Sequence, residues 1–546
     1  MVIYLAKKEH VKKSTGQLSP PLKGENEAVG EKTAGVASLM VFGRFVALFF
    51  SGIAFIIVAR LLGPSVYGIY VLAISFAGFF GSVADLGVSL AVNKYIGQYH
   101  PKNKEEVNKV ISNGYVSVLI TGTIFTIMAI LLSHFIAVHV LGNASQTYVL
   151  QTVSFAILGA MLFSLSYYAM VGFGKGPYVA LVIIMQSVVQ SLFSVLFAVM
   201  GFGALAPILG MLIGYTSSVI TVLIVLISKF KVKFIMPSFN YIKRLLGFSS
   251  PISVYNGLRG FINNFSPIIL ALFATTAIVG NFGVAIKTSS IISNVTDALG
   301  LAVLPMFAYT AATKSTSKSV GKYYNYAAYL TYVLITPALL YLAILSKEFS
   351  YTIFSAKYLL APSYISVISV GTLIWIVATY TVMLLVSTSK VREILKYSIA
   401  IAIIELALLF TIVPRFGGLG LVIILYIITP SLILLFMSRA AKKLLNIELN
   451  LGKLVRVLLA GALSALFILP IMLVFSPNYI TILVAAFLEQ LVLYPIVLAR
   501  TGAAGREELK TLWDSTSAIP VMNLIIRKLT GYAEHFVPSE SKVLAH

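Results

Sequence analysis

Long apolar segments recur along almost the whole chain and constrain its fold more than any other feature. Each is about 18 residues or longer, which is enough for a helix to cross a hydrocarbon core of roughly 30 Å. The composition agrees, since 59% of the residues are hydrophobic and only 11% are charged, whereas soluble domains average about 25% charged residues. We therefore predict an all-α polytopic membrane protein.

Charged or turn-rich breaks divide the apolar residues into fourteen predicted transmembrane spans. Their approximate bounds are 36–60, 67–92, 111–141, 147–172, 177–200, 205–228, 247–273, 278–308, 325–346, 364–388, 393–413, 417–438, 454–475 and 479–499.

The distribution of Lys and Arg predicts the orientation of these spans. With the amino terminus inside, 33 of the 40 basic residues lie in inner segments, 4 in outer loops and 3 within spans. Such asymmetry is what the positive-inside rule describes. Both termini are therefore predicted to be cytoplasmic, in a multi-pass protein of the cell membrane. The net charge of +22 is explained by topology, and we expect no nucleic-acid partner.

Residue types that carry metal binding or nucleophilic catalysis are sparse. The chain has no cysteine, which excludes disulfides, thiolate metal sites and cysteine nucleophiles. Its six histidines are scattered, and none lies in a metal-ligand pattern with acidic neighbours. We expect no metal, no cofactor and no catalytic residue.

The chain contains a weak internal repeat. Residues 67–87 align with 279–299 at an offset of 212, which matches Gly68 with Gly280. Later, "FGALA" (202–206) matches "FGGLG" (416–420) at an offset of 214. Six spans per half give the two halves the same orientation, so the repeat is parallel, with a pseudo-two-fold axis along the membrane normal. Two lobes related in this way are typical of secondary transporters.

The repeat predicts the domain organisation. Residues 36–228 form an N-lobe, 229–246 a cytoplasmic linker and 247–440 a C-lobe, while two extra spans (453–499) lie outside the repeat. Residues 1–35 are predicted to be a disordered basic head. Residues 500–546 form a cytoplasmic tail that contains an amphipathic helix on the inner surface.

Polar residues at membrane depth are candidates for function, since in lipid they must face protein or a water-filled cavity. Spacings of 3 or 4 residues predict polar faces on three helices. These are Ser75, Gly78, Ser82, Asp85 and Ser89 in span 2, Asn256, Arg259 and Asn263 in span 7, and Lys287, Ser290, Asn294 and Asp297 in span 8. Pro251 and Pro267 bracket the span 7 group and predict a bent helix.

Each predicted lobe has an arginine on its first helix and an aspartate on its second, at similar depth. Arg44 and Asp85 lie ~13 Å and ~12 Å from the inner ends of their spans, and Arg259 and Asp297 roughly 18 Å. These pairs either hold the two helices together or face a substrate path. Lys287 is the best single candidate for a cavity cation. Glu405 is either a proton or cation site or is packed against a polar neighbour.

Residues 59–99, "ARLLGPSVYGIYVLAISFAGFFGSVADLGVSLAVNKYIGQY", resemble the segment after the first helix in polysaccharide-export flippases. These proteins are the Wzx-like branch of the multidrug/oligosaccharidyl-lipid/polysaccharide (MOP) superfamily. Residues 249–305 are similar to their seventh and eighth helices. The resemblance covers roughly residues 36–440, and the long Lys-rich head and extra tail depart from it.

The resemblance implies two six-helix lobes around a central cavity and transport of a lipid-linked oligosaccharide to the outer leaflet by alternating access. Cationic cavity residues would meet the anionic phosphate linkage, a role that falls on Arg44, Arg259 and Lys287 by matching position. Further cavity candidates are Asn256, Asn263 and Asn294, and the coupling-ion or ion-pair candidates are Asp85, Asp297 and Glu405. The expected partners are the lipid-linked glycan and the bilayer, with other polysaccharide-assembly proteins as candidates, and the expected state is a monomer.

Two other functions compete with a flippase. A small-molecule or drug exporter of the same architecture would need an acidic or aromatic cavity for cationic drugs. The two arginines and one lysine within the spans argue slightly against this function. A membrane-embedded glycosyltransferase or polymerase generally needs a large external domain or long loop, and the sequence has none between its spans. The glycan, its lipid carrier and the energy source are not specified by the sequence.

Overall fold

The computed structural model describes residues 23–85, 87–100, 102–247, 251–292, 317–388, 391–476 and 478–504. These residues form helices joined by short turns, with no strand among them. Ten of the described helical segments are long and apolar enough to cross a membrane. The predicted all-α membrane fold is confirmed, while the count of fourteen spans stays a prediction.

The helices of the first half are α1 (Lys23–Ala84), α2 (Val88–Tyr99), α3 (Lys104–His139), α4 (Thr147–Gly172), α5 (Gly176–Val199), α6 (Leu205–Ser228), α7 (Phe239–Leu246), α8 (Pro251–Phe273) and α9 (Thr276–Ile292). Those that follow are α10 (Ser317–Ile344), α11 (Ser346–Ile353), α12 (Ala361–Ser387), α13 (Val391–Ile423), a π-helical turn (Ile424–Ile428), α14 (Thr429–Leu445), α15 (Leu451–Ala465), α16 (Ile468–Val474) and α17 (Tyr479–Arg500). The head residues 1–22 and the tail residues 505–546 lie outside the described residues, and residues 23–35 are the first turns of α1.

Two of these helices each consist of two segments joined at a kink. Gly63 interrupts α1 with a φ of 68° and is followed by Pro64. Gly417 interrupts α13 with a φ of 55°. Glycine adopts this left-handed conformation without the steric penalty that a Cβ brings. A straight helix over Phe42–Ala84, which has 43 residues, would be ~65 Å long. A span of ~30 Å therefore requires the chain to turn near Gly63.

The predicted continuous span 67–92 is wrong, because α1 ends at Ala84 and α2 begins at Val88. Gly87 has a φ of 81° and starts the new helix. Asp85 Oδ1 accepts hydrogen bonds from Ser89 Oγ at 2.7 Å and from Ser89 N at 3.4 Å. Asp85 thus satisfies a free N–H in the first turn of α2. The predicted polar face does not run through one helix from Ser75 to Ser89.

Contacts near the predicted repeat axis follow the repeat. A Cβ added to Gly68 would overlap the carbonyl of Thr276, and a Cβ added to Gly280 would overlap the carbonyl of Pro64. Gly68 and Gly280 are matched at the offset of 212, and so are Pro64 and Thr276. Reciprocal contacts of this kind are expected where two equivalent segments meet at a two-fold axis.

A second pair of matched residues shares an unusual backbone conformation. Gly203 and Gly417, aligned by the "FGALA" and "FGGLG" segments, both have a φ of 55°. The two glycines precede α6 and the second segment of α13. Equivalent positions in the two halves therefore both have a backbone φ that favours glycine.

The chain divides into two compact units. The first consists of Gln17–Val284 and Ser398–Leu421, and a single large apolar cluster fills it from α1 to α6. The second includes Ala285–Tyr397 and Val422–His546. In it, Tyr494 donates a hydrogen bond to the carbonyl of Val333 at 2.8 Å, and Tyr341 donates to that of Leu483 at 2.8 Å. These bonds fix α17 against α10. The predicted lobe boundaries stay a prediction.

Candidate functional site

The candidate site residues of the first unit begin with Arg44, on the segment of α1 that precedes Gly63. Its side chain is exposed, and Nη2 donates a hydrogen bond to Tyr167 Oη at 3.3 Å. Tyr167 lies edge-to-face against Tyr168, with ring centroids 5.2 Å apart. A guanidinium has five N–H donors, so this contact leaves donors for a ligand. The guanidinium of Arg44 therefore lies at the surface of an apolar helix and is not buried in the protein.

Asp85 lies near this group, but its carboxylate is committed to the start of α2. It is half-buried and accepts both of its hydrogen bonds from Ser89. Tyr168 lies close enough to both Asp85 and Arg44 for their charges to act on its hydroxyl. Within the described ranges no ion pair joins Asp85 to Arg44.

Arg259 and Glu405 form an ion pair that the sequence analysis did not predict. Arg259 Nη1 on α8 lies 3.8 Å from Glu405 Oε2 on α13, and the two side chains are 16% and 1% exposed. A carboxylate this deeply buried is costly unless a cation is close to it. Of the two roles that the sequence left open for Glu405, this contact fits packing against a polar neighbour. The pairing of Arg259 with Asp297 lies outside the described residues.

Three contacts hold the second segment of α1 against α8, the helix that carries Arg259. A Cβ on Gly78 would overlap the side-chain amide of Asn264. Phe79 packs against two aromatic rings of α8, with its ring centroid 4.5 Å from that of Phe261 and 5.7 Å from that of Phe265. A Cβ on Gly260 would lie 3.1 Å from Cβ of Ser82. The Gly78 and Ser82 positions of the predicted polar face therefore pack against α8.

The other candidates are dispersed. Asn263 is exposed on α8, and Lys287 is exposed on α9 in the second unit. The side chain of Asn256 and all of Asn294 and Asp297 lie outside what the structure describes. Among the described residues, no group of three or more His, Asp or Glu side chains could hold a metal ion.

Sequence reasoning missed the two tyrosines beside Arg44. The signal was present, since "SYY" (166–168) places two tyrosine hydroxyls, next to that of Ser166, in a largely apolar run. Tyr hydroxyls inside a membrane need a polar partner, and α4 brings them to α1. Arg44 could not be predicted as their neighbour, because α1 and α4 are far apart in the sequence.

Comparisons with known proteins identify one sequence family and one fold. The profile of a family described as "Polysaccharide biosynthesis protein" matches residues 33–311. No curated protein matches the sequence. Solved structures match in fold, beginning with the lipid II flippase MurJ in an inward closed conformation. That match has a TM-score of 0.68 at 14% identity and covers 85% of this chain and 98% of MurJ.

Two multidrug transporters have the same fold. An inward-facing MATE family transporter of the MOP superfamily matches with a TM-score of 0.63 at 14% identity, over 74% of this chain and 99% of its own. The MATE multidrug transporter DinF-BH matches with a TM-score of 0.56 at 17% identity, over 79% of this chain and 98% of its own. The predicted membership of a polysaccharide family is confirmed by the family match, and the solved structures agree in fold. The chain belongs to the polysaccharide biosynthesis protein family and has the fold of MOP superfamily transporters.

Proposed function

We propose that this protein is a flippase that moves a lipid-linked oligosaccharide or polysaccharide repeat unit from the cytoplasmic to the outer leaflet of the cell membrane. The observation that carries the proposal is the exposed guanidinium of Arg44 on an apolar helix, in a chain of a polysaccharide biosynthesis family. The fold it shares with the lipid II flippase MurJ supports the same reaction class.

The physical task of such a protein is to carry a charged headgroup through hydrocarbon. A phosphate-linked sugar pays a large desolvation cost there, and an arginine can offset it because guanidinium binds two phosphate oxygens at once. Arg44 has donors available for this, with Tyr167 and Tyr168 as neutral hydrogen-bonding neighbours for sugar hydroxyls. The lipid tail needs no such help and stays in the bilayer.

The three proposed substrate cations do not contribute equally. Arg259 is opposed by Glu405 at 3.8 Å, so the pair presents little net charge to an anion. Lys287 is exposed but lies in the other unit, where it stays a separate candidate. Arg44 is therefore the cation proposed to meet the substrate, and Arg259 is proposed to stabilise α8 against α13.

An exporter of small cationic molecules is the second candidate function. The similarity to MATE transporters supports it, as does the aromatic pair near Asp85, since aromatic rings attract organic cations. The commitment of Asp85 to Ser89 weighs against it.

The test is transport by protein reconstituted into vesicles with a fluorescent lipid-linked oligosaccharide. Arg44→Gln is expected to lower the flipping rate by about tenfold or more, because one charge-assisted phosphate contact is lost. Arg44→Lys should retain part of the rate. Arg415→Gln is the matched control, since Arg415 is also exposed but lies in a predicted outer loop. Equal rates for Arg44→Gln and Arg415→Gln would overturn the role of Arg44. Transport of a cationic dye with no flipping of the glycan lipid would favour the exporter.

A further inference from the structure

The segment between α6 and α7 is fastened along α3 by side chains of α3. Asn108 Oδ1 accepts from the backbone N of Lys233 at 3.1 Å, and Ser112 Oγ accepts from that of Ile235 at 3.0 Å. The Asn113 side chain accepts from the backbone N of Ser238 at 2.8 Å. The three accepting side chains are 8%, 2% and 1% exposed. We call residues 229–246 the strap, because these bonds hold its backbone at fixed positions.

The order of the contacts gives the path of the strap. It meets α3 at Asn108, advances to Ser112 and Asn113, and returns with α7, where Tyr241 Oη donates to Glu106 Oε2 at 3.1 Å. α7 is then fixed by Arg244, whose Nη2 donates to Tyr99 Oη at 3.2 Å. The strap therefore forms a loop that advances along α3 and comes back. Its tip, around Met236 and Pro237, is roughly 13 Å from the first residue of α3 by the helical rise.

This tip lies beside the end of membrane-crossing helices. α3 and α6 are both candidate spans, and the strap begins directly after the last residue of α6. Since α3 is predicted to enter the membrane at about residue 111, a loop that advances ~13 Å along it, as far as Asn113, is expected at the boundary between headgroups and acyl chains. Interfacial segments bury their apolar side chains to about 5–10 Å at this boundary.

The exposed side chains of the strap suit this position. Met236 is 93% exposed and Phe239 is 79% exposed. Lys243 is also exposed and lies four residues after Phe239, on the same face of α7. The inward face of α7 carries Leu245, which is fully buried. α7 thus packs one face on the protein and presents an aromatic ring and an ammonium on the other.

The charge of the strap is of one sign. Residues 229–246 contain five basic and no acidic residues. Arg244 is packed against the rings of Tyr95 and Tyr241, so it serves the structure. The remaining four are exposed lysines: Lys229, Lys231, Lys233 and Lys243. Clusters of basic residues at a membrane surface attract anionic headgroups, with roughly a fivefold gain in affinity for each residue.

We infer that the strap is a binding site for anionic phospholipid headgroups of the surrounding membrane. The four exposed lysines hold the phosphates, while Met236 and Phe239 contact the acyl chains. The α3 side chains keep the site in place by fixing the strap backbone. The inference is independent of the transported substrate.

The experiment measures lipid enrichment around the strap of the full chain. Because the chain has no cysteine, Asn240→Cys, at an exposed strap position that is not one of the proposed lipid contacts, provides a unique position for a donor fluorophore. The labelled protein is placed in phosphatidylcholine nanodiscs with a small fraction of acceptor-labelled lipid, either phosphatidylglycerol or phosphatidylcholine. Energy transfer to phosphatidylglycerol is expected to exceed transfer to phosphatidylcholine at the same fraction. Equal transfer to the two lipids would overturn the inference.

Matched variants identify the cause of the enrichment. Replacing the four strap lysines by Gln should reduce the preference for phosphatidylglycerol by about tenfold or more, while replacing them by Arg should retain it. The control replaces four exposed lysines outside the strap by Gln: Lys102, Lys104, Lys322 and Lys396. An equal loss in this control would show a general charge effect and overturn a local site. Melting temperatures of the variants should match, since none of these lysine side chains is buried.

Discussion

At the scale of single residues, the ion pair of Arg259 and Glu405 connects α8 to α13. We expect Arg259→Met to lower the free energy of unfolding by about 3–5 kcal/mol, because it leaves a buried carboxylate without its cation. Glu405→Gln should cost less, since Arg259 is 16% exposed and Glu405 only 1%. The double variant Arg259→Met with Glu405→Leu should recover most of the loss.

Unfolding of the detergent-solubilised protein measures these differences, and Arg44→Met is the matched control. It removes the same charge from an exposed position, so its effect on stability should be small. Equal losses for Arg44→Met and Arg259→Met would contradict the structural role of the pair. Reduced flipping by a fully stable Arg259→Met variant would instead support the substrate role predicted for Arg259.

His100 gives a pH-dependent contribution to stability. The ring of His100 lies beside Phe173 and Phe230, with ring centroids 4.8 and 6.2 Å away. Although the residue is exposed overall, the loss of water on this side of the ring and the nearby charge of Lys175 lower the pKa of His100. The folded chain therefore binds a proton at His100 less readily than the unfolded chain does. The contribution is present above the usual histidine pKa of about 6.5 and declines as the pH falls through the lower folded pKa.

The measurement compares the melting temperatures of the wild type and His100→Gln at neutral and mildly acidic pH. The wild type should lose more stability on acidification than the variant does. Lys175→Gln should reduce the pH dependence by removing one cause of the lowered pKa. Identical pH profiles for the wild type and His100→Gln would contradict the prediction.

At the scale of helices, Gly68 is a position where α1 and α9 approach too closely for a Cβ. Gly68→Ala is expected to destabilise the protein by about 1–3 kcal/mol, since its Cβ would overlap the carbonyl of Thr276 in a packed interface. Gly81→Ala on the same helix has open space around it and should stabilise by up to about 1 kcal/mol through helix propensity. The difference between the two variants isolates the contact, because both make the same substitution.

Gly280→Ala provides an independent check of the repeat. The contacts of Gly68 and Gly280 are reciprocal, so the two substitutions should cost similar amounts. Thermal unfolding of the three variants is sufficient to measure this. Similar stabilities for Gly68→Ala and Gly81→Ala would show that the helices separate easily at this point.

The helices themselves were predictable because lipid requires long apolar segments, and most predicted spans coincide with a described helix. The break between α1 and α2 at Asp85 was not predicted, because the apolar residues on both sides favoured one continuous span over a local helix-start signal. The signal was "DLG" followed by Ser89, an aspartate and a glycine of the kind that start a helix. The ion pair of Arg259 with Glu405 had no local signal, because the two residues lie on helices that are far apart in the sequence.

At the scale of the whole molecule, the proposed lipid site is part of a long region of the chain that has basic but no acidic residues. The sequence has no acidic residue between Glu106 and Asp297, and the strap lies within this interval. The positive-inside rule needs basic inner loops, but it does not require them to be fixed by buried side chains. Asn108, Ser112 and Asn113 order a loop that topology alone would leave free, which indicates a use for its lysines beyond orientation.

The predicted topology can be tested on intact cells, because the chain has no cysteine and each introduced cysteine is unique. With fourteen spans and an inner amino terminus, a membrane-impermeant maleimide should label Ala144→Cys and Leu359→Cys, two exposed positions in predicted outer loops. It should label Lys102→Cys and Lys229→Cys only after the cells are opened. Transport activity of each variant before labelling controls for its fold. An error in the number of spans would reverse the labelling of every later position, so it would lie before the first cysteine that departs from this pattern. Labelling of Lys229→Cys from outside would show that the predicted number of spans before the strap is wrong.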